Sequence, residues 1–173
     1  MSLRDAAVLV PVYRDRSGDL RIVLIRRGER GMHGGQLAFP GGKPDPSDDT
    51  MLDTALREAN EEIGLTIDAI EILEALPVFE TLTTGFRIAP FLARIRPPDR
   101  WQVAEGEVAE VIEPRVVDLL APGVHDEAVE HHPTWPGPRK ISFYRIGPHR
   151  LWGASYRILH PLLPRLAAGA WEV

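Results

Sequence analysis

FPGGKPDPSDDTMLDTALREANEEIGL, Phe39 to Leu65, decides how the rest of this chain is read. From Thr50 to Ile63 the apolar residues Leu52, Ala55, Leu56, Ala59 and Ile63 recur at helical spacing, so at about 100° per residue they define one buried stripe. Gly64 closes the helix at its C′ position. On a neighbouring face Glu58, Glu61 and Glu62 stand at i, i+3 and i+4, which gathers three carboxylates within about one turn. Like charges so placed cost roughly 0.2–0.5 kcal/mol per pair, and anions in a last turn oppose the helix dipole. Something must offset that repulsion. Crowded carboxylate oxygens suit a hard divalent cation, Mg²⁺ in particular, which is held by a few carboxylates together with water and substrate phosphate. A bare Glu-Glu pair at a helix end is ordinarily solvated surface; the surrounding spacing sets this one apart.

The segment resembles the signature of the Nudix hydrolases, GX5EX7REUXEEXGU with U an aliphatic residue. Its tail REANEEIGL, Arg57 to Leu65, matches position by position, with Ala59 as a small first aliphatic. In the front half Gly42 lies one residue further from Arg57 than the pattern asks, and Asp49 stands where the pattern has Glu. That expansion is similar to the coenzyme A pyrophosphatase branch of the family, in which GG precedes a comparable Asp-rich run.

Upstream, Arg26, Arg27 and Arg30 lie in RRGERGMHGG, a basic, glycine-rich loop leading into QLAFPGG. Arginines fork onto phosphate oxygens, and glycines let backbone approach a ligand closely. The loop resembles the branch pattern LLTxR(S/A)x3Rx3Gx3FPGG. Leu24, Arg27, Gly35 and Phe39 to Gly42 match it, and His33 with Gln36 fits the usual HxGQ. Ile25 for Thr, Gly28 for Ser or Ala, and Gly31 for Arg depart from it. These departures bear on substrate identity and leave the hydrolytic site untouched.

The remaining chain reads as alternating strands and a second helix. Ala6 to Tyr13 is a strand whose Pro11 places it at an edge or at a bulge. Leu20 to Arg26 is a buried central strand, paired with the first as a hairpin. Ile67 to Phe79 alternates irregularly and reads as a strand or, alternatively, a helix, and the stretch after a turn near Gly85 is a further strand. Glu105 to Val117 carries Glu105, Glu107 and Glu110 beside apolar residues. Residues 121–140, rich in Pro, Gly and His, read as a long loop, with His131 and His132 on the surface because metal-site spacing is missing. Ile141 to Ile146 is a strand. LWGASYRIL, Leu151 to Leu159, resembles the branch's IWGATARIL and feeds a last helix ending near Ala168, kinked or restarted at Pro161 and Pro164.

The chain's 173 residues favour a single domain, 1–173, able to bury about 70% of its unfolded surface. A net charge of −5 argues against a general nucleic-acid binder. No apolar run reaches the length of a membrane span and no signal-peptide pattern appears, which reads as a cytoplasmic protein without membrane partner. The absence of cysteine removes a thiol nucleophile and a Cys-ligated zinc. Oligomeric state is left open.

Pattern alone gives an α/β or α+β domain. The resemblance implies more: an α/β/α sandwich with a mixed sheet between helices, and Mg²⁺- or Mn²⁺-assisted hydrolysis of a diphosphate in a small-molecule nucleotide substrate. It implies Glu58, Glu61 and Glu62 as metal ligands, Arg57 as the group that orients them, and Gly41 and Gly42 as the turn against the helix. Glu107 is the preferred carboxylate outside the helix, beside Glu105 and Glu110. Arg26, Arg27, Arg30, Gln36, Gly41 and Gly42 are the candidate substrate-binding residues. Whether Glu58 or an outside carboxylate takes the water proton stays open. Coenzyme A or an acyl derivative is the expected substrate. ADP-ribose or a related nucleoside diphosphate derivative, and a non-catalytic nucleotide-sensing module, are the alternatives.

Overall fold

Helix α1, Met51–Ile63, forms where the apolar spacing predicts it, and both of its ends are chemically defined. Thr50 is the N-cap: its side chain accepts from the Asp53 N–H, while the Asp53 carboxylate accepts from the Thr50 N–H, a reciprocal capping box. Gly64, at φ 71°, ends the helix in the left-handed conformation. The buried stripe is rotated from the expected one. Ala55, Ala59 and Ile63 are in the core, Leu52 and Leu56 are only half-buried, and the inner edge is completed by Thr54 and Glu62. The helix therefore carries one of its carboxylates inward.

A computed structural model describes residues 3–29, 34–81, 84–132 and 135–173. The strands are β1 (Arg4–Arg14), β2 (Leu20–Ile22), β3 (Leu24–Arg27), β4 (Leu37–Ala38), β5 (Gly41–Gly42), β6 (Ile70–Ala75), β7 (Phe79–Glu80), β8 (Phe86–Ile95), β9 (Val108–Ile112), β10 (His125–Glu130), β11 (Arg139–Ile146) and β12 (His149–Leu151). Two further helices are α2 (Val116–Leu119) and α3 (Gly153–Ala167). The main sheet runs β2-β1-β8-β6, with β5 added to β1 and β7 to β8. It is mixed, because β1 and β8 are parallel while the other pairs are antiparallel. Smaller antiparallel sheets are β4-β3-β9 and β10-β11-β12.

Alternation along β1 divides the core. Ala7 and Leu9 face α1 with Ala55, Ala59 and Ile63; Val10 and Val12 face the opposite way, with Ile158, Leu159, Leu162 and Leu163 of α3. The sheet is thus covered by a helix on each face, the expected sandwich.

Three readings change. Strand β1 is interior: Pro11 is in register with Ala93 of β8 and, on its other side, falls in the gap between the β5 and β2 pairings, where its missing N–H breaks no ladder bond. Leu20 to Arg26 is two strands, broken at Val23, because β2 pairs in the main sheet and β3 in a second one. The stretch read as a loop contains β10, joined to β11 through six residue pairs. Its charged sequence HDEAVE hides a strand held by cross-strand ion pairs, Lys140 with Glu127 and Arg145 with Asp126. Among the described residues, no helix is long and apolar enough to cross a membrane.

Candidate functional site

β5 lies directly against α1, and the contact is between Gly42 and Glu58. A Cβ at position 42 would stand 2.4 Å from Glu58 Oε1, so a side chain there and the carboxylate exclude one another. Beside it, the Gly41 N–H donates to Glu62 Oε2 at 2.9 Å.

Arg57 organises the outer side. Its Nη1 donates to Glu58 Oε1 at 3.1 Å and to Glu61 Oε2 at 3.0 Å. Its Nη2 reaches the Lys43 carbonyl at 3.0 Å, and Nε and Nη2 both hold Asp48 at 2.9 Å. One guanidinium therefore links the turn, the loop and two of the three glutamates.

The three carboxylates are graded by burial. Glu62 is 6% exposed, the Glu58 side chain 18% and the Glu61 side chain 54%. Burial pushes the Glu62 carboxyl up to about 7, with Glu58 and Glu107 adding repulsion and with the Gly41 N–H and Arg27 opposing it. Burial also raises Glu58, against the pull of Arg57 and with repulsion from Glu61 and Glu107. Glu107 thus acts on both buried carboxylates. Glu110 turns away, held by Arg26 at 2.8 Å, which keeps it below the usual carboxylate range.

The approach of Glu107 rests on Gly28. The Gly28 N–H donates to the Glu107 carbonyl at 2.8 Å, and a Cβ at position 28 would lie 2.4 Å from the Gly106 carbonyl oxygen. The glycine that departs from the branch pattern is the one that lets the turn carrying Glu107 close on β3.

The basic residues separate. Arg27 is the cation felt by Glu62, whereas Arg26 is spent on Glu110 and on Glu29. Gln36 is half-buried; its carbonyl accepts from the Arg27 N–H at 2.9 Å, and its side chain makes no hydrogen bond among the described residues. Arg30 lies outside the described residues. Sequence reading passed over Asp48. The signal was present, since Asp48 is the sixth residue after Gly42, the spacing that the GX5E half of the signature asks. Counting back from Arg57 selects Asp49, which makes no hydrogen bond among the described residues; the extra residue therefore lies between Asp48 and Arg57.

Among the described residues, no three His, Asp or Glu side chains converge as a ready metal cage. Arg57 and Gly41 hold one oxygen of each glutamate, leaving Glu58 Oε2, Glu61 Oε1 and Glu62 Oε1 without hydrogen bonds among the described residues. Hard oxygen donors, two of them desolvated and mutually repelling, fit a small divalent cation, whose charge would relieve both penalties.

Comparison with known proteins gives the family. The NUDIX domain family model matches residues 3–136. The uncharacterized Nudix hydrolase NudL of Citrobacter koseri is 35% identical over 158 residues, which span 90% of this chain and 74% of that protein. A MutT/nudix family protein from Enterococcus faecalis superposes with a TM-score of 0.65 at 19% identity, over 97% of this chain and 63% of its own. The NUDIX domain of Shewanella oneidensis NrtR, complexed with ADP ribose, gives 0.54 at 18% identity, over 69% and 77%. These two structures share the fold. Fold, signature helix and relatives together define a hydrolase of diphosphate-linked substrates. The chain belongs to the Nudix family.

Proposed function

We propose that this enzyme hydrolyses coenzyme A or an acyl derivative at its diphosphate, in the cytoplasm, giving phosphopantetheine and adenosine 3′,5′-bisphosphate. The observation that carries the hydrolytic site is the pairing of Gly42 with a partly desolvated Glu58 beside a more deeply buried Glu62. The coenzyme A assignment rests on the likeness of the Leu24 to Gly42 loop and of LWGASYRIL to the branch patterns.

Glu58, Glu61 and Glu62 would hold Mg²⁺ or Mn²⁺, which supplies phosphate charge neutralisation and a more acidic attacking water. Arg57 fixes the carboxylates of Glu58 and Glu61 relative to one another. The Gly41 N–H fixes Glu62, and Glu107 strengthens the negative potential that draws a cation in. Glu58, raised by burial, accepts the proton of the attacking water as its oxygen bonds to phosphorus and the bridging P–O bond breaks. By their place in the sequence Arg27, Arg30 and Gln36 are the residues assigned to the substrate diphosphate.

The test is kcat/KM with Mg²⁺ or Mn²⁺ for coenzyme A, dephospho-coenzyme A and ADP-ribose, with Arg27→Ala run in parallel. Coenzyme A is expected to be cleaved, with discrimination lowered about ten- to a hundredfold at most by the missing branch side chains at positions 25, 28 and 31. An advantage of about tenfold or more for ADP-ribose, with Arg27→Ala affecting all three alike, would overturn the coenzyme A reading. Binding without turnover of any of them would make the chain a sensing module.

A further inference from the structure

Two cations converge on one aromatic ring next to the catalytic turn. Arg4 and Phe86 are register partners in the parallel β1–β8 pair, and the Arg4 guanidinium lies 4.3 Å from the Phe86 ring centroid. The Lys43 ammonium is 5.9 Å from the same centroid. Arg4 is anchored by donating Nη2 to the Thr84 carbonyl at 3.0 Å, and Lys43 by the hydrogen bond from Arg57 to its carbonyl. Lys43 directly follows Gly42, so its side chain is tied to the segment that abuts Glu58.

Neither cation meets a carboxylate among the described residues. Of the other arginines over rings, Arg145, Arg150 and Arg165 end on Asp126, Glu130 and Glu74, while Arg139 over Trp135 and Arg157 over Phe79 have no carboxylate partner among the described residues; Phe86 differs from those last two rings in holding two cations. The nearest acid in sequence, Asp5, is paired with Arg87 at 2.8 Å, and strand alternation puts both on the other face of β1 and β8. In a chain of net charge −5, two unopposed cations held together by a ring repel each other without internal compensation. A ring face attracts cations only weakly at an exposed site. An external anion supplies what is missing.

We propose that Arg4, Lys43 and the face of Phe86 form a subsite for a phosphate monoester that the substrate carries apart from its diphosphate. This rests on the hydrolase reading above and gives it the second point of positive charge that a substrate with two separated phosphate groups requires. A guanidinium fork and a point-charge ammonium together match a dianion with three acceptor oxygens. The nearby glutamates disfavour the monoester at the hydrolytic end, so the two ends of the site select opposite ends of one ligand.

The experiment is calorimetric binding in EDTA, where no turnover occurs, using the full chain with coenzyme A and dephospho-coenzyme A, which differ only by the monoester. The parent is expected to favour coenzyme A by about tenfold or more, and Arg4→Ala and Lys43→Ala each to bring the ratio of the two dissociation constants close to one. Lys43→Arg should retain the preference. A parent without preference, or a preference that survives both alanine variants, overturns the subsite. Metal-dependent turnover is measured separately: cleavage without the binding preference leaves the hydrolase and removes the subsite, and the preference without cleavage does the reverse.

Discussion

Arg57 grips Asp48 with both arms of its guanidinium, Nε to Oδ1 and Nη2 to Oδ2, each at 2.9 Å. The Asp48 side chain is only 4% exposed and also accepts from the Thr54 hydroxyl and the Asp45 N–H. Arg57 holds its carboxyl well below the usual carboxylate range. This leaves Nη1 free to span Glu58 and Glu61. The pair is the joint between the loop and the carboxylate-bearing face of the helix.

Removing Asp48 takes its carboxylate from two of the guanidinium's nitrogens while Glu58, Glu61 and the Lys43 carbonyl still hold the group. Asp48→Ala is expected to lower the urea midpoint and to lower turnover as Arg57 swings. Asp49→Ala, at an exposed residue without a hydrogen bond among the described residues, should stay within about 0.5 kcal/mol of the parent. Urea unfolding of the two variants decides it: equal midpoints would remove Asp48 from the joint.

Residues 50–64 were the most legible part of the chain, because period and stop agree within fifteen positions. What stayed hidden depended on distant partners. The inward turn of Glu62 needs the Gly41 N–H, and the approach of Glu107 needs Gly28 packed against Gly106. Strand β10 was hidden because its residues read as a polar loop until β11 pairs with them. Counting back from Arg57 pointed to Asp49, and only the reach of the guanidinium picks out Asp48.

Glu58→Gln and Glu62→Gln should each lower kcat by about two orders of magnitude or more while the fold survives, since each removes a ligand charge and relieves repulsion. Steady-state rates beside far-UV spectra test this. Turnover within a few-fold of the parent in both variants would withdraw them from the metal site.

A cation that binds only the folded chain adds RT ln(1+[L]/Kd), about 2.7 kcal/mol at a hundred times Kd. Millimolar Mn²⁺ or Mg²⁺ is therefore expected to raise Tm in the parent and to leave the Tm of a Glu58→Gln/Glu62→Gln double variant unmoved. A shift of equal size in that double variant would place the cation elsewhere.

The raised carboxyl of Glu62 has a defined pH signature without metal. Its folded pKa is about 7 against an unfolded 4.5, so its stabilising contribution is fully present below 4.5 and is lost as pH rises through 7. At one unit per 1.36 kcal/mol the change is about 3 kcal/mol, and Glu58 adds to it with the same sign. Asp48 runs the other way, but its contribution is lost only below the usual carboxylate range, outside this window. Urea midpoints in EDTA should therefore fall between about pH 5 and pH 8. Glu62→Gln should flatten most of that slope; a slope unchanged by the substitution would mean that other groups carry it.

The two glycines of the turn make opposite predictions from adjacent positions. A Cβ at Gly42 meets Glu58 Oε1 at 2.4 Å, the mobile end of a side chain, so Gly42→Ala can be accommodated by moving the carboxylate. Stability should drop by less than about 1 kcal/mol, while kcat falls about tenfold to a hundredfold because Glu58 is displaced by an ångström or more. A Cβ at Gly41 meets the Ala7 carbonyl oxygen at 2.2 Å and Val8 Cα at 2.7 Å, both backbone atoms of β1. Gly41→Ala must therefore pry β5 from β1, costing about 2–4 kcal/mol, and it loosens the Gly41 bond to Glu62 as well. Paired unfolding curves and steady-state rates for the two variants should show activity lost without stability at one position and stability lost first at its neighbour. If Gly42→Ala keeps full turnover, the contact between the turn and Glu58 has no part in positioning the carboxylate.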